Sequence, residues 1–273
     1  MQGTLWDGEQ ESVRYAQLFS RAVDVELRLN DIPIKTAKAD RMVTSGIPVR
    51  QFTVLGQNVL SVICGDRRAA PTRGGWSDIG KVTARVADFA EGEQLEETAG
   101  IERAVLRPAF TAESANPMVQ SAPFESRFGA DWAWYQAQII DPVAARSALD
   151  QFFTSVHAAY AQRNMEPLVN LFEPAIRDRV RAYPALSIEG QIRMTRGRFA
   201  RANPEHWAVE PLDLETAEYR TAAGGRLIQA LDGQGKPLIR SVPLPGKEED
   251  DDPWEIEFTN LVGVWNGRLS VLV

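Results

Sequence analysis

The stretch VDVELRLNDIPI, residues 23–34, constrains most strongly what this chain can fold into. Over its first seven residues apolar and polar side chains alternate strictly, and a period of two is typical of a half-buried β-strand. Asn30 and Asp31 follow at once, and both residue types tolerate the positive φ that a tight hairpin turn needs. Pro33 predicts that the returning strand is short or lies at a sheet edge. The stretch is therefore predicted to form an antiparallel hairpin.

Further strand-like stretches fill the first half of the chain. They are IPVRQFTV (47–54), VLSVIC (59–64), KVTARVADF (81–89), IERAVLR (101–107) and FESRF (124–128). Turns rich in glycine and proline separate them, and no helical pattern occurs before residue 140. We predict a flexible N-terminus over residues 1–16 and a β-sandwich domain over residues 17–140.

Residues 20–65 contain LRLNDIPI followed by IPVRQFTVLGQNVLSV, and this pair of motifs resembles the galactose-binding-like jelly-roll modules attached to many glycosidases. The matching residues belong to turns and to the core: Leu29, Asn30, Pro33, Gly56, Asn58, Val59 and Leu60. The resemblance therefore implies a fold and not a sugar-binding site. We expect the Asn58 side chain to hold the turn that precedes its strand.

The aromatic stretch DWAWYQAQII offers a candidate binding surface at the end of this half. If it is a strand, Trp132 and Trp134 share one face of it, and Tyr135 lies beside them. Aromatic residues dominate the energetics of cores, which favours a buried stripe. The alternative is a stacking platform for a ligand, or a hot spot for a partner protein.

The second half begins with a helical pattern. Asp141 is a suitable N-cap, and Pro142 fits the first helical position. An apolar stripe at spacings of three and four follows: Leu149, Phe152, Phe153, Val156 and Tyr160. Asn164 is the expected C-cap. Three shorter helices are predicted in MEPLVNLF, PAIRDRVRAYP and IEGQIRMTRGRFARANP, and extended segments after Pro204. Helices before an antiparallel sheet predict an α+β domain over residues 141–273.

Within that domain, FFTSVHAAYAQRNMEPLVNLFEPAIRDRV resembles the opening of the nuclear-transport-factor-like superfamily, a cone-shaped α+β fold. Asn164 occupies the position where that family often has Asp after its long helix, and Leu171-Phe172 resembles the end of its second helix. The resemblance extends over residues 145–273. It implies helices packed on a curved sheet. Because the family includes small-molecule enzymes, binding domains and immunity or scaffold proteins, it implies no single activity.

Composition argues against several kinds of chemistry. Lys and Arg total 30 against 37 Asp and Glu, and a net charge of −7 disfavours nucleic-acid binding. No apolar run reaches the length of a membrane span, and the N-terminal residues do not resemble a signal peptide, so a cytoplasmic protein is expected. One cysteine and two histidines form no metal-binding motif, and the glycine-rich nucleotide-binding motifs are absent. No cofactor and no metal are therefore expected.

Two groups of polar residues remain candidates for a site. His157 lies at the edge of the apolar stripe, where it either acts as a general base with Tyr160 or is a hydrogen-bonded histidine at the core boundary. The second interpretation is favoured. Arg193, Arg196 and Arg201 either form a patch for an anion or a partner, or lie on a solvated helix face, which is again favoured.

The sequence therefore predicts two domains without a concentrated catalytic constellation. It favours a non-catalytic binding protein with a protein partner, such as a bacterial accessory or immunity-type protein. The alternatives are an isomerase, dehydratase or hydrolase that uses the pocket of the C-terminal domain, and a carbohydrate-binding module in the N-terminal domain.

Overall fold

The computed structural model describes residues 12–67, 80–96, 98–111, 114–200, 207–243 and 258–273. The chain divides into two compact units, Met1–Asp131 and Trp132–Val273. Both units contain antiparallel sheets, and the α-helices of the described residues lie in the second unit. The boundary follows Asp131 rather than Ile140 because Ala133, Gln138 and Ile140 hydrogen-bond to later residues of the second unit.

The described residues of the first unit form eight strands in two four-stranded antiparallel sheets. The strands are β1 (Ser12–Arg21), β2 (Val23–Leu29), β3 (Ile32–Ala37), β4 (Val43–Pro48), β5 (Gly56–Arg67), β6 (Lys81–Ala90), β7 (Ile101–Leu106) and β8 (Met118–Ser126). One sheet has the order β4-β1-β6-β7, and the other has the order β3-β2-β5-β8. A hydrogen bond between Arg14 and Ser126 joins the two sheets through the core.

The first strand overturns one prediction, because residues 12–16 belong to β1 and not to a flexible N-terminus. The buried face of this strand carries Arg14, Ala16, Leu18 and Ser20. Two of these four side chains are polar, so the sequence has no apolar alternation here. Pairing with β4 on one side and β6 on the other fixes the strand instead.

The hairpin predicted for residues 23–34 is confirmed. Strands β2 and β3 pair in antiparallel fashion, and Asn30 and Asp31 have φ values of 53° and 64°. Asn58 holds the neighbouring turn, as expected. Its Oδ1 accepts the Val54 N–H at 2.8 Å, and its Nδ2 donates to the Val54 and Gly56 carbonyls at 2.8 and 2.9 Å. The same Oδ1 also accepts from the Asn30 side chain, which links the two turns.

The strand predicted for residues 47–54 is wrong beyond Pro48. The chain leaves β4 and makes a single 3₁₀ turn over Arg50–Phe52. Thr53 stabilises this turn, because its N–H donates to the Arg50 carbonyl and its hydroxyl donates to the Val49 carbonyl. A side chain that competes for backbone groups thus favours a turn over a strand.

A charged cluster lies inside the first unit. Asp88 accepts two hydrogen bonds from Arg14, at 2.6 and 2.9 Å, and one from Arg103 at 2.7 Å. Arg103 is the extra residue of a β-bulge in β7, between the partners of Val86 and Ala87. Burial by itself raises the pKa of Asp88, but the two guanidinium groups outweigh it and lower the pKa.

In the second unit, four α-helices and six strands lie within the described ranges. They are α1 (Ala133–Gln136), α2 (Arg146–Ala161), α3 (Glu166–Ala182), α4 (Ile188–Ala200), β9 (Trp207–Val209), β10 (Glu218–Ala222), β11 (Leu227–Leu231), β12 (Ser241–Pro243), β13 (Val262–Trp265) and β14 (Arg268–Val271). The main sheet has the order β10-β11-β13-β14, and β9 pairs with β12. The order of helices before sheet agrees with the α+β prediction.

Helix α2 buries the predicted stripe, but both of its ends differ from the prediction. The helix begins at Arg146, because Asp141 caps a preceding turn by accepting the Val143 N–H at 2.9 Å. At its other end Arg163, with φ of 58°, takes the left-handed position that Asn164 was expected to hold. The apolar spacing located the buried face correctly, whereas the capping residues misplaced the boundaries.

Helix α3 joins the two separate helices that were predicted around Leu171-Phe172. It continues through Pro174, which is buried. Proline removes one backbone N–H and normally bends or ends a helix. Here buried apolar residues on both sides of it, including Leu168 and Ile176, hold the helix against the rest of the unit.

Candidate functional site

Residues 132–143, here called the anchor segment, include α1 and lead toward α2. The part around Trp132 and Trp134 was predicted as a strand, but it forms α1, a helix of one turn. The N–H groups of Tyr135 and Gln136 both donate to the Trp132 carbonyl, at 3.0 and 3.1 Å. The strand prediction was wrong because the alternating aromatic residues around Trp132 and Trp134 do not pair with a strand. The helical turn satisfies the Tyr135 and Gln136 amides instead.

Only one of the three predicted platform residues reaches the surface. Trp132 and Trp134 are buried, at 0% and 3% exposure, whereas Tyr135 is 49% exposed. The Arg181 guanidinium lies over the Trp132 ring, 5.8 Å from its centroid. The two tryptophans therefore serve as core residues, in line with the favoured interpretation, and they do not present a stacking platform to solvent.

The anchor segment carries exposed apolar side chains at every fourth position. Ile139 is 70% exposed and Val143 is 83% exposed, in addition to the half-exposed Tyr135. Tyr135 and Ile139 both lie at the turn before β11: the Arg226 guanidinium is 6.0 Å from the Tyr135 ring centroid, and a Cβ on Gly225 would be 3.2 Å from Ile139. Large apolar groups exposed together mark interaction surfaces.

Backbone hydrogen bonds fix this exposed stretch to the sheet and to the turn before β11. The Gln138 N–H donates to the Val264 carbonyl at 3.0 Å, and the Ile140 N–H donates to the Gly225 carbonyl at 2.8 Å. The Arg226 guanidinium also donates to the Ala137 carbonyl at 2.8 Å. The exposed side chains are therefore presented by an ordered backbone.

A buried carboxylate lies beneath α1. Asp178 of α3 is 8% exposed, and its Oδ2 accepts the Ala133 N–H at 2.7 Å. Burial raises its pKa to about 7, because the Ala133 N–H and the charge of Arg181 compensate for lost hydration only in part. This residue was not predicted from the sequence. The signal was its spacing of four from two other buried residues of α3, Pro174 and Ala182.

The predicted catalytic pair occupies structural positions. The His157 Nε2 lies 2.9 Å from the Glu210 carbonyl oxygen, so this nitrogen carries the proton and donates it. Tyr160 is 2% exposed, and its ring packs edge-to-face on Phe258 with centroids 5.9 Å apart. The carboxylate of Glu210 pairs with Arg240. His157 is thus oriented toward a backbone carbonyl at the core boundary.

Aromatic rings fill the space between helices and sheet in the second unit. Phe258 contacts Phe153 and Phe172 edge-to-face, with centroids 6.1 Å apart in both pairs. Phe153 stacks on Tyr219 at 5.6 Å, and the Tyr219 hydroxyl donates to Asp150 at 2.7 Å. Phe153 and Phe258 belong to one cluster of buried residues, and the partly buried Phe172 and Tyr219 pack against it, so this region serves as a core.

The predicted arginine patch is only partly described. Arg196 forms an ion pair with Glu166, with Nε 2.6 Å from Oε1, and Arg193 is exposed on the same helix. Arg201 lies outside the described residues. Of the two arginines that the structure describes, Arg196 is therefore paired with an acidic residue, as on an ordinary solvated helix face.

Two features are absent from the described residues. Among them, no three His, Cys, Asp or Glu side chains come together in a way that could hold a metal ion. Within the same ranges no helix combines the length and the apolar character needed to cross a membrane.

No protein-family model matches this chain, and neither a curated protein nor a solved structure shows significant similarity to it.

Proposed function

We propose that this is a non-catalytic interaction protein that binds a partner protein through the exposed apolar residues of the anchor segment. The observation that carries the proposal is the exposure of Tyr135, Ile139 and Val143 on one stretch of backbone that is hydrogen-bonded to the sheet. An ordered backbone lowers the entropy lost on binding, and an exposed tyrosine is among the residues enriched in binding hot spots.

The arrangement of the polar residues supports the same proposal. The candidate base His157 donates to a backbone carbonyl, and its candidate partner Tyr160 packs within the aromatic core. A pocket enzyme of this architecture needs a cleft in which such groups converge. In the second unit the corresponding region is occupied by the rings around Phe258.

We regard the first unit as a jelly-roll-like sandwich and the second as a nuclear-transport-factor-like domain. Two four-stranded antiparallel sheets support the first assignment, and helices preceding a four-stranded antiparallel sheet support the second. Both folds serve many functions. The proposed role as a bacterial accessory or immunity-type protein therefore depends on the exposed apolar residues of the anchor segment and not on the fold.

The experiment is photo-crosslinking with affinity capture. A photoreactive phenylalanine analogue replaces Tyr135 in the tagged full chain, the chain is expressed in its own cells, and crosslinked proteins are identified by mass spectrometry. We expect one partner in stoichiometric amount. The purified partner is then titrated against the Ile139→Asp variant, which should bind at least ~10-fold more weakly because a charge enters an apolar contact.

Val119→Asp is the matched control. Val119 is 61% exposed on β8 of the first unit, so the same charge is placed on the other unit. It should bind the partner as tightly as the unmodified chain. Equal affinity of the Ile139→Asp variant and the unmodified chain would refute the proposed surface, and recovery of no stoichiometric partner would refute the proposed function.

A further inference from the structure

We propose that Asp178 is a proton-operated latch, which holds α1 against α3 while its carboxyl group is neutral and loosens α1 when the group ionises. The latch would regulate the binding surface, since Tyr135 belongs to α1. This consequence depends on the proposed function, whereas the latch itself does not.

The geometry of the latch begins with a helix that cannot cap itself. Helix α1 has one turn, and its N-cap residue, Trp132, provides no side-chain cap. The carboxylate of Asp178, from another helix, accepts the first N–H of α1 instead. Ala133 is 5% exposed and Asp178 is 8% exposed, so both partners of this hydrogen bond are buried. Undocking of α1 would break the hydrogen bond and expose the carboxyl group to water.

Few charges face the carboxyl group. Arg181, on the same helix, is the charged group in the described ranges that acts on Asp178. Helix α1 contributes the Ala133 N–H and no charged side chain, and β13 contributes none. On β14, Arg268 lies 3.9 Å from Glu173. An ionised Asp178 is therefore poorly compensated when α1 is docked.

The direction of the switch follows from linkage. Burial raises the pKa of Asp178 to about 7 in the docked state, whereas a hydrated aspartate titrates near 3.8. The undocked state therefore loses its proton first as the pH rises, and docking becomes less favourable until the pH passes the docked pKa. Docking is strongest in acid and weakest above neutrality. The Oδ2 atom can accept the Ala133 N–H in either state, so the pH dependence comes from hydration of the charge.

Only part of the anchor segment would loosen when Asp178 ionises. Gln138 and Ile140 are hydrogen-bonded to the sheet, so their amides should not depend on Asp178. The Ala133, Tyr135 and Gln136 amides depend on α1 being formed. Loosening of α1 would displace Tyr135 while Ile139 stays in place, and affinity for a partner that contacts both should fall as the pH rises.

Amide hydrogen exchange of the full chain, followed by NMR between pH 5 and pH 8, tests the latch. Rates are divided by the intrinsic chemical rates at each pH. We expect protection of the Ala133, Tyr135 and Gln136 amides to fall by ~10- to 100-fold over this range, as a shift of two to three pKa units implies. Protection of the Gln138 and Ile140 amides should stay constant.

Two variants make the result specific. Asp178→Asn has the same shape, can still accept the Ala133 N–H and carries no charge, so its α1 amides should lose the pH dependence. Asp141→Asn is the matched control, because Asp141 also accepts a backbone N–H, that of Val143, but is exposed. It should retain the full pH dependence. The same slope in the unmodified chain and in Asp178→Asn would overturn the proposal.

A direct titration covers the case in which Asp178→Asn does not fold. The ¹³C shift of the Asp178 carboxyl group in the unmodified chain should titrate near pH 7. A midpoint below about 5, near that of a hydrated aspartate, would also overturn the proposal. Neither measurement uses a partner protein, so failure of the latch and failure of the proposed binding surface are distinguishable.

Discussion

The two units each bury an aspartate, and the two aspartates differ in their electrostatic environment. Asp88 of the first unit is 5% exposed and Asp178 of the second is 8% exposed. The pKa of Asp88 is lowered, whereas the pKa of Asp178 is raised to about 7. Burial opposes the charge in both places, so burial does not explain the difference.

The hydrogen-bonding partners of the two carboxyl groups explain why their pKa values shift in opposite directions. Asp88 receives both prongs of the Arg14 guanidinium and a third bond from Arg103. A bidentate, charge-assisted contact is among the strongest available to a carboxylate. Asp178 receives one neutral N–H and the field of one arginine. The first unit thus contains a charged group in a permanent structural role, and the second contains one that can change its charge near neutral pH.

Loss of the charge on Asp88 should have the largest effect. Asp88→Asn leaves the guanidinium groups of Arg14 and Arg103 without their counter-charge in the core. We expect the first unit to lose ~3–5 kcal/mol of unfolding free energy, as when one partner is removed from a buried ion pair. Hydrogen exchange in increasing urea, read from peptides of β1 and β6, measures this loss.

Asp31→Asn is the control for that variant. Asp31 pairs with Arg28 at 2.6 Å but is half exposed, and surface pairs contribute ~0–1 kcal/mol. If both variants lost the same stability, the buried cluster would contribute no more than a surface pair, and the contrast between the two units would disappear.

The pH dependence of unfolding should have opposite signs in the two units. The pKa of Asp178 is higher in the folded state, so its contribution is complete below about pH 4 and is lost as the pH rises to about 7. The loss in the second unit is up to ~4 kcal/mol. The pKa of Asp88 is lower in the folded state, so its contribution is complete above about pH 4 and is lost in stronger acid.

Unfolding of the two units is therefore to be measured at pH 4, 6 and 8, with hydrogen exchange in urea read separately from each unit. Between pH 4 and pH 8 the stability of the second unit should fall in the unmodified chain and stay nearly constant in Asp178→Asn. Over the same pH range the stability of the first unit should not be altered by the Asp178→Asn substitution. An identical pH profile for Asp178→Asn and the unmodified chain would contradict the linkage.

The sequence predicted those features that depend on local spacing. Alternation located the β2–β3 hairpin, and turn chemistry identified Asn30, Asp31 and Asn58. Apolar spacing located the buried face of α2. In each case the physical cause lies within a few residues of the pattern, so no knowledge of distant contacts was needed.

The features that the sequence missed depend on distant residues. Strand β1 puts Arg14 and Ser20 on its buried face, which is acceptable for Arg14 because Asp88 lies on another strand. Asp178 looks like a solvated residue until Ala133, 45 positions away, is known to donate to it. A local pattern shows which residues are polar. It does not show which polar residues will find a buried partner.

Asn58 tests whether a buried polar group without charge stabilises the first unit less than the Asp88 cluster does. The residue is fully buried, and its side chain satisfies the Val54 N–H and two backbone carbonyls. Asn58→Ala leaves these groups unpaired, so we expect a loss of ~2–3 kcal/mol of unfolding free energy. Hydrogen exchange in urea, read from peptides of β5, measures this loss.

Asn170→Ala, at an exposed site on α3, is the control and should change stability by less than ~0.5 kcal/mol. If Asn58→Ala cost as much as Asp88→Asn, satisfied hydrogen bonds alone would account for the stability of both sites, and charge would not distinguish them.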